Sequence, residues 1–169
     1  MKIYLIRHAA AVELDKEVVE DSFRYLSHAG RNHSHEIAKK LKEHNVHFDI
    51  IFTSPLVRAL QTAEIFAHIL NHKGELKTAV ELAGGASYSR FHQMIKRNSH
   101  HNKIACFGHA PDVNLFATGL INNNNVKELK LNFKNCSVCK ISYDIKKETG
   151  KFVWFLKSDT LELVEAKIP

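Results

Sequence analysis

Short, wholly apolar runs punctuate this chain, and amphipathic stretches with helix punctuation separate them. Ile3-Tyr4-Leu5-Ile6 and Ile104-Ala105-Cys106-Phe107 are apolar at every position, the pattern of strands buried on both faces. The patterning predicts a strand near 2–7, a helix from about 31 to 44, a strand over 48–53, helices over 55–71 and 88–97, a strand over 103–108 and a helix over 111–120. Such alternation predicts an α/β fold, a three-layer α/β/α sandwich on a mainly parallel central sheet. In the last third, Val138 to Ile145 and Phe152 to Lys157 flank Lys146-Lys147-Glu148-Thr149-Gly150, which predicts a C-terminal β-hairpin added to that sheet. Asn122-Asn123-Asn124-Asn125 marks a loop, no internal repeat is present, and a single domain over 1–169 is expected.

Composition narrows the class. A chain of 169 residues buries on the order of 70% of its unfolded surface, so neither a metal nor a disulfide is needed to hold it. With 24 Lys plus Arg against 18 Asp plus Glu the net charge is +6, which favours anionic ligands without naming one. Cys106, Cys136 and Cys139 are odd in number and are expected to be free thiols in a reducing compartment. Cys136 and Cys139 form a C-x-x-C, yet no second pair completes a zinc site, so a structural role is expected for them. No charged leader precedes the first strand, and nothing approaches the roughly 20 apolar residues that span a bilayer. The expectation is a soluble cytoplasmic protein.

The chemistry-bearing residues gather at strand ends. Arg7-His8 follows the first apolar run directly, and Gly108-His109 follows the second. Between them, Phe52-Thr53-Ser54-Pro55-Leu56-Val57-Arg58 turns a strand into a helix, with Ser54 as the expected cap and Pro55 at the first helical position. Arg58 then lies about one turn in, where free backbone amides and the positive end of the helix dipole favour anions. A lone His or Arg in a chain with 12 histidines is usually a solvated surface group. Three strand ends bearing them are less ordinary, because ligands of open parallel sheets bind outside the carboxyl ends of the strands. A neutral imidazole beside guanidiniums at such a place is suited to attack on phosphorus.

These residues resemble the histidine phosphatase superfamily, whose hallmark is Arg-His after the first strand and a second His after a later one. Leu5-Ile6-Arg7-His8-Ala9 is similar to the Arg-His-Ala variant of the small bacterial phosphohistidine phosphatases of the SixA type. Asp21-Ser22-Phe23-Arg24-Tyr25-Leu26-Ser27-His28-Ala29-Gly30 resembles that branch's Asp-x-x-Arg-x-Leu-Ser/Thr-x-x-Gly segment. Ser54-Pro55-Leu56-Val57-Arg58-Ala59-Leu60-Gln61-Thr62-Ala63 and Gly108-His109-Ala110-Pro111 match two further blocks, so the resemblance spans roughly residues 2 to 120.

The resemblance implies a metal-independent phosphatase in which His8 attacks phosphorus and a phosphohistidine intermediate is then hydrolysed. Arg7 and Arg58 would bind the phosphoryl oxygens and depress the His8 pKa, and His109, as imidazolium, would offset charge in the transition state. No cofactor is implied. Arg24 would reach the phosphoryl group or the partner, and Asp21 would orient Arg24 or Arg7. Glu81, in Val80-Glu81-Leu82-Ala83-Gly84-Gly85, is the candidate general acid, with a solvated loop carboxylate as the equal alternative. The small branch is thought to dispense with such an acid, which a P–N bond with an imidazole leaving group tolerates.

The favoured substrate is therefore phosphohistidine on a partner protein, a phosphorelay or phosphotransfer carrier. A small-molecule phosphomonoesterase using Glu81, or a phosphate-binding module without turnover, are the alternatives. From Leu70 to Lys103 there is room for one short helix and the Gly84-Gly85 loop but not for a large cap insertion, so an open, shallow site is expected. His33 and His35 point apart on a helix, Lys39-Lys40 and Lys146-Lys147 read as solvated faces, and Tyr88 and Phe91 as helix packing. No nucleic-acid or membrane partner is expected, and a monomer is the favoured state.

Overall fold

Ile3 to Ile6 are buried without interruption, and the strand they form, β1 (Lys2–Arg7), accordingly lies inside a sheet with a neighbour on each side. The computed structural model describes residues 1–121 and 131–166, so the asparagine run at 122–125 lies outside the described residues. On one side β4 (Lys103–Gly108) pairs in parallel with β1, from Lys2 opposite Lys103 to Arg7 opposite Gly108. Beyond β4 come β2 (Ile50–Thr53) and then β3 (Glu75–Thr78), both parallel. On the other side of β1 the sheet continues antiparallel through β5 (Val138–Asp144), β6 (Thr149–Leu156) and β7 (Leu163–Glu165). The order is β3-β2-β4-β1-β5-β6-β7, a four-stranded parallel half joined to an antiparallel meander.

Period-two alternation in β1 assigns the two faces. Tyr4 and Ile6 pack with Ala105 and Phe107 against Ile37, Ala38 and Leu41 of α1 (His28–Glu43) and Ala63 and Phe66 of α2 (Val57–Ile69). Ile3 and Leu5 pack with Ile104 and Cys106 against Phe91 and Met94 of α3 (Tyr88–Arg97) and Val113 and Phe116 of α4 (Asp112–Leu120). Each fully buried side chain of this size contributes about 1.5–3 kcal/mol. Three layers result, as the alternation predicts. Phe91 does pack its helix, stacked on Phe116 at 4.1 Å. Tyr88 lies over Gly119, where a Cβ would stand 2.3 Å from its ring.

Several boundaries differ from expectation for local reasons. Helix α1 begins at His28 rather than 31 because Ser27 caps it, its Oγ accepting the Gly30 N–H. Helix α2 begins at Val57, not 55, and its N-cap Leu56 has no side-chain cap, since Ser54 Oγ takes the Leu56 N–H one residue too early. Strand β3 went unpredicted because Glu75-Leu76-Lys77-Thr78 is an exposed edge with one apolar side chain. Between Leu70 and Lys103 the chain therefore forms β3, a 3-10 turn at Val80–Leu82 and α3, and no cap. Cys139 packs on the α3/α4 side and Cys136 on the α1/α2 side, so the C-x-x-C straddles the sheet; all three cysteines are free and buried. Among the described residues no helix is long and apolar enough to cross a membrane.

Candidate active site

His8 is the first residue beyond β1, and its backbone is held from three directions. Its N–H donates to Gly108 O at 3.0 Å, while the Asn135 amide and the Cys136 N–H both donate to its carbonyl. The ring is equally determined. Nδ1 lies 2.7 Å from Ala9 O, and because a carbonyl only accepts, the ring proton sits on Nδ1. Nε2 is left with its lone pair, and the Arg58 Nε–H donates to it at 3.3 Å. Burial pushes the His8 pKa down to about 3; the Ala9 hydrogen bond opposes this, and His109, Arg58 and Arg7 add to it. At neutral pH His8 is an uncharged imidazole with an available lone pair. Arginines were expected to cause this depression, but desolvation is the larger cause.

Arg58, buried in the first turn of α2, is the most heavily engaged side chain of the site. Besides His8 it donates through Nη1 to Asp21 O at 2.6 Å and through Nη2 to Asp21 Oδ2 at 2.8 Å. Asp21 stands on a 3-10 turn (Asp21–Phe23) and also accepts from Arg24 Nη1 at 3.1 Å. The Arg58 hydrogen bond holds the Asp21 carboxyl below its ordinary value. Asp21 thus orients Arg24, one of its two expected partners, and also Arg58, which the sequence did not suggest. Arg24 itself donates through Nε to Val12 O at 2.6 Å, which turns it toward its own loop.

Arg7 and His109 complete the cluster. Arg7 Nη1 donates to Phe133 O at 2.8 Å, and its Nε is buried without a partner among the described residues. The His109 ring lies 4.9 Å from that of His8, with Nε2 2.8 Å from Ser54 Oγ. Ser54 Oγ accepts the Leu56 N–H and, as a hydroxyl, can either give its own hydrogen to His109 Nε2 or accept one from it. His109 Nδ1 is also buried and unpartnered. Burial, followed by the Arg58 charge, pushes the His109 pKa down to about 4, so the imidazolium expected from sequence is a neutral ring here. The orphaned Arg7 Nε–H beside a neutral nucleophile leaves a hydrogen bond that an anion would satisfy.

Glu81 is not on a flexible loop. It sits in the Val80–Leu82 turn, and its Oε1 accepts from Arg97 Nη2 of α3 at 2.8 Å. Sequence reasoning assigned no role to Asn135 or Phe133, whose approach to β1 depends on the β5 pairing. Thr62 was equally missed: its Oγ donates to Arg58 O at 2.7 Å and accepts the Ala9 N–H at 3.1 Å, fastening α2 to the loop of His8. Its spacing of four from Arg58 was the available signal.

Two imidazoles buried in the neutral form make stability depend on pH. Their folded pKa values, about 3 and about 4, lie below the ordinary 6.5. The unfolded chain therefore binds more protons across that interval, and stability is full above pH 6.5 and lost as pH falls toward 4. For His8 the loss at pH 5 is about 2 kcal/mol. Urea midpoints are expected to drop between pH 7.5 and pH 5, and the drop should shrink in His109→Gln. An unchanged midpoint would show that these rings are not held neutral.

Residues 3–83 match the family model of the histidine phosphatase superfamily, branch 1. Over that span the chain is similar to the histidine phosphatase superfamily. An uncharacterized protein of Picosynechococcus sp. is 40% identical over 67 residues, a match spanning 40% of this chain and 40% of that protein. Among solved structures, the protein histidine phosphatase SixA complexed with tungstate aligns with a TM-score of 0.85 and 24% identity, over 96% of this chain and 100% of that one. A phosphoserine phosphatase mutant from Entamoeba histolytica in complex with phosphoserine aligns at 0.67 and 17% identity, over 95% and 99% of the two chains. These structural likenesses establish the histidine phosphatase fold for the chain.

Proposed function

We propose that this protein is a phosphatase that removes phosphoryl groups from phosphohistidine on a partner protein. The observation that carries the proposal is the His8 tautomer: Nδ1 spends its proton on Ala9 O, so Nε2 is a neutral nucleophile at the mouth of the site. Its lone pair attacks phosphorus, the P–N bond of the substrate breaks, and the leaving imidazole takes a proton from solvent. Water then attacks the phosphoryl group on His8, and breaking the Nε2–P bond releases inorganic phosphate. As phosphorus takes the place of the Arg58 hydrogen, the guanidinium shifts to the equatorial oxygens; Arg7 Nε supplies a further donor, as does His109 Nδ1 in the tautomer that carries its proton there. Charge for the transition state comes from side chains already in position.

Three features favour phosphohistidine over a phosphate ester. Glu81 is engaged by Arg97, and a P–N bond with imidazole as leaving group needs no dedicated acid. The short segment between Leu70 and Lys103 carries no cap insertion, which suits a substrate displayed on a protein surface. The neighbour with the TM-score of 0.85 is a protein histidine phosphatase. Three buried free thiols suit a reducing compartment. The test is release of phosphate from free phosphohistidine and from phosphoserine by the purified protein, with phosphohistidine expected to be the far better substrate; the opposite order would overturn the proposal. Glu81→Gln is expected to leave P–N hydrolysis within about threefold of wild type, as a carboxylate that takes no part in proton transfer would. A loss of about a hundredfold would make Glu81 the acid.

A further inference from the structure

Leu14, Val19, Phe23 and Tyr25 are strongly exposed, Val19 at 73% and Phe23 at 62%, and all four lie on the connection from β1 to α1. The other large hydrophobic side chains exposed among the described residues are Val80 on the turn after β3, Leu115 in the first turn of α4, and Leu161 between β6 and β7. Strands β1, β3 and β4 are parallel, and β6, two antiparallel steps from β1, runs the same way. Every one of these connections therefore leaves the sheet at the edge where His8, Arg58 and His109 stand. The opposite edge carries His44, His47, His72, Lys73, Lys146 and Lys147, with no exposed large hydrophobic among the described residues. Singly scattered apolar side chains need no explanation, but four of them on the one connection that follows His8 do.

Charge separates along with hydrophobicity. Residues 13–21 hold Glu13, Asp15, Glu17, Glu20 and Asp21 against Lys16 alone, in a chain of net charge +6. We propose that residues 13–25 are a docking face for a partner protein that presents its phosphohistidine from an apolar surface flanked by lysine and arginine. The proposal rests on the phosphatase reading above and names the partner's surface. Acidic side chains repel an anionic lipid surface, and in a two-fold dimer they would face their own copies. A basic, apolar protein surface satisfies both parts of the segment. Asp21 joins this face to the chemistry, because its carbonyl and carboxylate hold both Nη atoms of Arg58. A partner that docks here pulls on the group a phosphoryl oxygen must replace.

The test uses three substrates: free phosphohistidine, a phosphohistidine peptide flanked by Leu, Lys and Arg, and one flanked by Ser, Asp and Glu. Wild type should cleave the basic-apolar peptide with kcat/KM about tenfold above the acidic one, through KM. The triple variant Leu14→Ser, Val19→Ser, Phe23→Ser should lose that preference, and Glu17→Gln with Glu20→Gln should lose its salt dependence. Both should cleave free phosphohistidine as wild type does, which shows that they are folded. Equal kcat/KM for the two peptides in wild type would overturn the proposal, as would a preference that survives the triple variant. Anisotropy with the unphosphorylated, fluorescent peptides decides docking separately, with tighter binding of the basic-apolar peptide expected. If wild type hydrolysed none of the substrates yet kept that binding preference, the phosphatase reading alone would fall. A wild-type dimer in sedimentation that the triple variant dissolved would make a second copy the occupant and overturn the proposal.

Discussion

Replacing His8 with alanine is expected to abolish both phosphoryl-enzyme formation and turnover, lowering kcat by at least ~10³-fold. The size follows from what is lost. The proton on Nδ1 is committed to Ala9 O, so only Nε2 of this ring is free to form a bond to phosphorus, and no neighbouring group replaces it. His109, the adjacent ring, has its Nε2 bound to Ser54. Rapid quenching with a phosphorus-labelled phosphohistidine domain should place acid-labile, base-stable label on wild type and none on His8→Ala. The variant should still fold, because the His8 backbone bonds to Gly108, Asn135 and Cys136 do not involve the ring. Label persisting on His8→Ala would move the nucleophile elsewhere and remove the basis of the proposed mechanism.

Arg58→Ala carries the second large effect, an expected loss of about 10²–10³ in kcat/KM, comparable to removing a charge-stabilising donor from other sites. Arg58 is buried in a helix whose N-terminus already favours anions, so its charge acts with little screening. It also bonds His8 Nε2 and both acceptors of Asp21, and its removal frees all of them. Arg58→Lys should recover only a small part, because a lysine offers a point charge without the fork that spans His8 and Asp21 at once. Steady-state kinetics with free phosphohistidine measure this. A lysine variant equal to wild type would reduce Arg58 to a simple counter-charge.

Where the pattern carried energy, it was readable. The two wholly apolar runs became adjacent central strands because only a doubly buried strand tolerates apolar side chains on both faces, and their register puts Arg7 opposite Gly108. The gathering of Arg7, His8, Arg58 and His109 at one edge was legible because parallel strands expose their carboxyl ends there. Strand β3 was illegible, since its pairing with β2 is made by backbone groups and leaves little trace in side-chain type. The charge state of His109 was illegible too, because it depends on burial and orientation rather than on residue type.

Sequence alone thus determined the sandwich, the order of its layers and the four residues that converge, since hydrophobic periodicity and strand-end chemistry are local properties of the chain. Only the tertiary structure decided that Asp21 binds Arg58 as well as Arg24, that Glu81 turns to Arg97, and that the connections bearing exposed apolar side chains share the sheet edge of His8. Each of these joins or compares residues distant in sequence, and such contacts form only after the core has brought their elements together.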